Sequence, residues 1–294
     1  MKSIKYFLFL VYLVCFVPLT AQNIISGKVF LDKNGNGIQD RSEHGIKAVP
    51  VSNGRDVVLT DKDGNFSISV ADGESLFPII PSGYTSSSGD IIRSSDFLFK
   101  TRQLKDKVDF ALKKEKQPEH FTLGAIGDIQ MGNPQELDYA NQTIIPELAG
   151  RKDIQLAVWL GDLVNNRLEL FEDVREMIRC TEIPSWVLPG NHDRITNGHT
   201  LQDSLFNCYF GASAYAFNYG NVHFIILNNV APDSKRGYKA RISDRQMTFI
   251  KNDLSYVPKD RFVVFCQHIP LVHTENIEDL KTLLNGRNKL FALS

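Results

Sequence analysis

Four apolar runs of strand length in the second part of the chain each break off into side chains that can bind ions. That repetition limits the fold more than any other feature. Phe121 to Ile126 leads into Gly127-Asp128-Ile129-Gln130, and Leu156 to Leu160 leads into Gly161-Asp162. Trp186 to Leu188 leads into Pro189-Gly190-Asn191-His192-Asp193, and Phe262 to Cys266 into Gln267-His268. Amphipathic segments lie between these runs. Glu169 to Cys180 gathers Leu170, Val174, Met177 and Ile178 on one helical face, while Ser243 and Gln246 form a capping box ahead of Met247, Ile250 and Leu254. Strands alternating with helices predict an α/β domain. In open sheets of that class, sites assemble at the C-terminal strand edge, so the four polar termini are expected to converge. Each has a plainer role when taken alone: Asp128 and Asp162 suit helix N-caps, and His268 suits a satisfied core histidine.

Upstream the pattern is β throughout. Gly27 to Leu31, Val57 to Thr60, Phe66 to Val70 and Lys107 to Leu112 read as short strands divided by Gly, Pro, Asn and Asp, which predicts a small all-β sandwich. Asp61-Lys62-Asp63-Gly64-Asn65 reads as a hairpin turn. Residues 32–43 fit the calcium-loop pattern D-x-[DN]-x-[DN]-G-x5-E, with Asp32, Asn34, Asn36, Ile38 through its carbonyl, Asp40 and Glu43 as candidate ligands and Gly37 at the bend. An Asn/Gly-rich turn without an ion is the competing reading. Strand context in place of helices makes the stretch similar to the calcium loops of bacterial surface Ig-like B-repeats, with Gly45 to Val49 expected as the next strand.

The start of the chain carries Lys2 and Lys5, an apolar run from Tyr6 to Val17, and Pro18-Leu19-Thr20-Ala21. This predicts a secretory signal peptide over residues 1–21, and hence an exported, periplasmic or surface protein with no transmembrane segment after cleavage. The run is short for a membrane anchor, and Val14 before Cys15 does not suit lipidation. Export leaves Cys180, Cys208 and Cys266 in a compartment that permits one disulfide and requires none. Lys114 to Glu119, charged and proline-bearing, predicts a linker, so the expected units are 22–113, 114–119 and 120–294. With 33 Lys and Arg against 34 Asp and Glu, no basic excess points to nucleic acid.

D-x-Q at Asp128, G-D-x-V-x-N at Gly161, G-N-H-D at Gly190 and H-x-P at His268 resemble, in order, the motifs of calcineurin-like metallophosphoesterases. The β domain resembles the module that precedes this catalytic domain in a group of exported bacterial phosphoesterases. The resemblance implies two divalent transition-metal ions (Fe, Mn, Zn or Ni) and hydrolysis of a phosphomonoester or phosphodiester on a small molecule or surface polymer. Asp162 would bridge the metals, Asp128 and Gln130 would hold one, and Asn191 and His268 the other. His192 would stand near the leaving group as the acid, with Asp193 raising its basicity and fixing its tautomer. Gln130 departs from the usual D-x-H and supplies a weaker, neutral ligand. His223 reads as a packed histidine inside the strand Val222 to Leu227. The resemblance also implies a G-H-x-H block after the helix Ile277 to Leu284 and the run Leu290 to Leu293. The sequence ends at Ser294 with no H-x-H anywhere, so a C-terminally incomplete phosphoesterase domain, short of one imidazole per metal, is expected. The alternative is a secreted binding or surface module that keeps the fold without turnover.

Overall fold

The computed structural model describes residues 23–71, 73–96, 98–99, 107–196 and 202–294. The signal-peptide segment and His199 lie outside the described residues. Among the described residues, no helix is long and apolar enough to cross a membrane.

The N-terminal part is built from β1 (Asn23–Leu31), β2 (Pro50–Ser52), β3 (Val57–Leu59), β4 (Asn65–Val70), β5 (Ser75–Pro78), β6 (Tyr84–Ser86), β7 (Leu98–Phe99) and β8 (Phe110–Lys114). One sheet runs β4-β1-β8-β6 and the other β3-β2-β5-β7. Alternate residues Ile25, Val29, Phe66, Ile68 and Val70 pack with Val51 and Leu76 of the facing sheet, as the period of two requires. Two expectations need correction. Gly45 to Val49 is no strand: Gly45 makes one bridge to Phe30, and Ala48 turns the chain at φ 59°. A side chain on Gly45 would lie 1.8 Å from the Asp63 carbonyl oxygen, so the segment is seated on the next turn and not in a ladder. That turn, Asp61 to Asn65, forms as expected, with Asp61 accepting from the amides of Asp63 and Asn65. It is not a hairpin, because β3 and β4 belong to different sheets.

The second part runs β9 (Thr122–Ile126), α1 (Pro134–Gln142), α2 (Ile144–Gly150), β10 (Ile154–Trp159), α3 (Phe171–Arg179), β11 (Ser185–Val187), α4 (Ser204–Phe210), β12 (Tyr215–Tyr219), β13 (Val222–Ile226), β14 (Val230–Asp233), β15 (Gly237–Ala240), α5 (Asp244–Leu254), β16 (Phe262–Cys266), α6 (Ile277–Leu283) and β17 (Leu290–Leu293). A parallel sheet, β11-β10-β9, packs face to face on a mixed sheet, β12-β13-β16-β17, with helices outside both. Leu156, Val158 and Leu160 point into the space between the sheets, and Trp159 points to α3 and α4. Trp186, Phe217 and Phe224 stack in series across that space, with centroids 4.1 and 4.7 Å apart and planes 7° from parallel. Ser243 caps α5 by accepting from the Gln246 amide. His223 is buried, with Nδ1 3.0 Å from Asn218 and Nε2 2.7 Å from Asp253.

The two parts share their core. Phe77 and Ile79 of the sandwich join the inter-sheet cluster, and Phe77 meets Tyr215 and Phe249 edge-on. Gln117 in the linker accepts from the amides of Gly83 on one side and Gly220 on the other. Arg179 grips Asp90 through two nitrogens, and Ile92 bridges Ser185 at the free edge of β11. Phe77→Ala should therefore cost about 3–5 kcal/mol, the range for emptying an aromatic site in a core. It should shift the whole denaturant transition, read by circular dichroism for the full chain and by the fluorescence of Trp159 and Trp186 for the second part. A shift confined to a separate N-terminal transition would contradict a shared core.

Candidate metal centre

All four strand ends reach one edge of the paired sheets. The loops after β9 and β10 zip together: Asp128 N donates to the Gly161 carbonyl, Gln130 N to Asp162 and Met131 N to Leu163. This backbone ladder holds Asp128, Gln130 and Asp162 at φ 54°, 43° and 49°. Left-handed conformations of non-glycine residues cost about 1–3 kcal/mol each and persist where the surroundings enforce them. Three of the five candidate ligands are thus held in conformations that the chain would not adopt unaided.

The G-D and G-N-H-D loops touch backbone to backbone. A Cβ on Gly161 would lie 2.5 Å from the Gly190 nitrogen, and one on Gly190 would lie 2.1 Å from Asp162 Oδ1. Only glycine at both positions lets the Asp162 carboxylate rest under the second loop, where Oδ1 accepts from the His192 amide at 2.9 Å. Asp162 is 2% exposed, Asp128 is open to solvent, and Gln130, Asn191, His192 and His268 are half-buried.

One ligand atom from each of Asp128, Asp162 and His268 falls within 4.8 Å of the other two. His268 Nδ1 lies 2.9 Å from the Leu160 carbonyl oxygen, so Nδ1 carries the proton and Nε2 presents its lone pair. Nε2 then faces Asn191 Oδ1 at 3.1 Å and Asp162 Oδ1 at 3.4 Å, both acceptors. Three lone pairs aimed at one another suit a shared cation, and the backbone anchor on Nδ1 is the usual way a ligating imidazole is oriented. Gln130 Nε2 lies 3.1 Å from Asp162 Oδ2 and 3.4 Å from Asp128 Oδ1. Turning that amide by half a revolution brings Oε1 to the same carboxylates, where it would act as a ligand. The donor set of carboxylate, amide and imidazole therefore fits divalent metal.

Asp193 does something other than expected. It is 1% exposed and accepts from the amides of Gly190, Leu163 and Val164 at 2.8, 3.2 and 3.1 Å. Burial pushes its carboxyl up to about 6, and the three amide hydrogen bonds oppose the rise. It makes no hydrogen bond to the His192 ring nitrogen Nδ1, which is buried without a partner among the described residues. Successive loop residues point apart, so Asp193 clamps the two loops and leaves the tautomer of His192 unset. His192 Nε2 lies 3.8 Å from Asp162 Oδ2, and the residue lines a cavity of about 490 Å³.

The loop 32–43 is closed by its own backbone. Asp32 accepts from Gly35 and Gly37, and Glu43 from Lys33 and Asp40, while Asn34 and Asn36 donate to Asp40. Ile38 is exposed, and Gly37 stands at φ 74° as a sharp bend requires. Cys180, Cys208 and Cys266 are free thiols, the last buried and its pKa raised by burial.

Sequence reading passed over Arg194 and Tyr238, both lining the cavity beside His192. Arg194 directly follows the G-N-H-D motif, but an arginine in a turn-rich loop reads as exposed, and in the fold it is 4% exposed.

Comparison with known proteins places these features in a family. Residues 121–289 match the calcineurin-like phosphoesterase family, and residues 33–115 match the N-terminal region of calcineurin-like phosphoesterase. A 3',5'-cyclic-nucleotide phosphodiesterase of Nostoc sp. is 26% identical over 144 residues, which is 49% of this chain and 51% of that protein. The chain thus spans about half the length of this curated relative. A dimetal phosphatase from Danio rerio aligns structurally at 15% identity with a TM-score of 0.40, covering 58% of this chain and 80% of that one.

Asp193→Asn should loosen both loops and lower stability by about 1–3 kcal/mol, because an amide nitrogen would oppose backbone donors. The pH profile of any phosphoesterase activity should keep the same limbs in the variant. A displaced limb, with stability unchanged, would restore the direct pairing of Asp193 with His192.

Proposed function

The chain belongs to the calcineurin-like phosphoesterase family, and on that premise we propose that it hydrolyses a phosphate ester with two divalent transition-metal ions. The observation that carries the reading is the convergence of ligand atoms of Asp128, Asp162 and His268 within 4.8 Å of one another, with Asn191 Oδ1 3.1 Å from His268 Nε2. Bound there, two cations would polarise a phosphoryl oxygen and lower the pKa of water toward neutrality. Asp162 addresses both halves of the ligand set, Oδ1 toward His268 and Oδ2 toward Gln130, which supports a bridging role. Asp128 and Gln130 would complete one metal's share, and Asn191 and His268 the other's. His192, which lines the cavity, would give a proton to the departing oxygen. The donor types suit Fe, Mn, Zn or Ni. Export through residues 1–21 belongs to the same proposal, resting on Lys2, Lys5 and the apolar run that follows.

Hydrolysis of a chromogenic phosphate ester with added Mn²⁺ or Zn²⁺, abolished by chelator, is the expected result. Inactivity across several esters and metals would favour a surface module without turnover. Asp162→Ala should lose both metals, while Gln130→Ala should keep at least one, by elemental analysis of the purified proteins. His192→Ala should keep both metals and lose about 10²–10⁴-fold in rate, most for poor leaving groups. Equal losses for good and poor leaving groups would remove His192 from that role.

The calcium reading of residues 32–43 is supported by the oxygen spacing of Asp32, Asn34, Asn36, Asp40 and Glu43. An ion that binds only the folded loop stabilises it by mass action, and extracellular loops of this kind commonly bind at about 10⁻⁴–10⁻³ M. Millimolar Ca²⁺ added to chelator-treated protein should raise its melting temperature without changing phosphoesterase activity. An unchanged melting temperature would leave the loop as an ion-free turn.

A further inference from the structure

The cavity beside His192 contains a charge that no described carboxylate contacts. Arg194 is the lysine or arginine among its lining residues, and it is nearly buried. Its Nη1 donates to Gln202 Oε1 at 2.9 Å and to the Val230 carbonyl at 3.3 Å, and its Cζ lies 5.9 Å from the Tyr238 ring centre. Nε has no partner among the described residues, and no described carboxylate forms an ion pair with the group. Burial lowers its pKa, while Asp203, Tyr238 and Asp162 pull it the other way without touching it. Asp233, the acidic residue in the cavity lining, is turned into its own bend, where it accepts from the amides of Lys235 and Arg236.

Leaving a guanidinium buried and unpaired is costly, and the cost falls when an anion arrives from outside. Arginine's planar fork suits carboxylate and phosphate oxygens. Asn191 and His192 line the cavity, His192 is the residue proposed to protonate the departing alcohol, and about 490 Å³ accommodates a ring-sized group. We propose that Arg194 is a specificity-determining residue that binds an anionic substituent on the alcohol portion of the ester. The substrate class is then phosphate esters whose leaving group carries a second negative charge, a carboxylate or another phosphate. The Tyr238 ring and Pro232 offer apolar surface to the body of that group. This rests on the phosphoesterase reading above.

Phenyl phosphate and 3-carboxyphenyl phosphate test it, because their leaving groups differ in charge and hardly in acidity. With the full chain and Mn²⁺, kcat/KM should be at least about tenfold higher for the carboxylated ester, the factor expected of one hydrogen bond to a charged group. Arg194→Gln should erase the preference, and Arg194→Lys should keep part of it. The uncleavable pair phenylphosphonate and 3-carboxyphenylphosphonate, titrated calorimetrically, should show the same ratio in Kd for the unaltered protein and lose it in Arg194→Gln. Equal treatment of the two compounds by the unaltered protein overturns the proposal, whether or not the variants fold. So does an equal loss for both in Arg194→Gln, which would put Arg194 on the shared phosphoryl group. Failure to hydrolyse either ester would count against the phosphoesterase reading alone, since the calorimetric ratio still decides the role of Arg194.

Discussion

The centre depends on two backbones lying in contact. Gly161 and Gly190 approach so closely that a methyl group on either would strike the other loop, and the Asp162 carboxylate occupies the space this leaves. Because Asp162 is held there at positive φ, both of its oxygens are fixed before any ion binds. The buried Asp193, with three backbone amides on its carboxylate, supplies the force that keeps the loops together. A carboxylate hydrogen-bonded to backbone N–H groups is a strong clamp. The ligand geometry is therefore paid for by the fold and is preorganised in the sense that metal affinity requires.

The N-terminal sandwich contributes to that preorganisation from a distance. β11 delivers the G-N-H-D loop, and its outer edge would be an unpaired strand edge but for Ile92, which bridges Ser185 and donates no side chain to the centre. Edge strands are where sheets slip or pair wrongly, so this contact fixes the register of the strand that positions Asn191 and His192. Arg179 with Asp90 ties α3 to the same segment, and Phe77 reaches the inter-sheet core from the other side. The sandwich is structural support for the second part as well as a neighbour to it.

Much of this was legible in the chain because burial leaves a pattern. Phe262 to Cys266 is apolar at every position and forms β16 with those bounds, and Ser243 caps α5 because its hydroxyl stands three residues before Gln246. The strand-end ligands were legible because β9, β10, β11 and β16 are parallel neighbours within their sheets or lie across from one another, which brings their C-terminal ends to one edge. What depends on side-chain direction was not. Asp193 adjoins His192 in sequence and reads as its partner, yet a loop turns consecutive side chains apart. Gly45 to Val49 reads as a strand by residue type, but a left-handed Ala48 and the close seat of Gly45 on Asp63 are contacts no local pattern reports. Arg194 was missed for the converse reason, since a charged loop residue carries no mark of burial.

The distribution of charge fixes an order of events. Asp128, Asp162, the Asn191 oxygen and the His268 lone pair make the centre rich in acceptors, and the chain as a whole carries a net charge of -1. The phosphate ester proposed as substrate would meet repulsion there until cations reversed the local sign. Arg194 lines the same cavity as His192 and, among the described residues, feels Asp162 at a distance without forming an ion pair with it. Under that proposal metal would precede substrate, and productive binding would be conditional on metal occupancy. By linkage the relation is reciprocal: an anion that binds only the metal-loaded centre tightens the metals by the factor by which they tighten it. A centre with a solvent-open Asp128 and a neutral Gln130 among its ligands has the most to gain from that coupling.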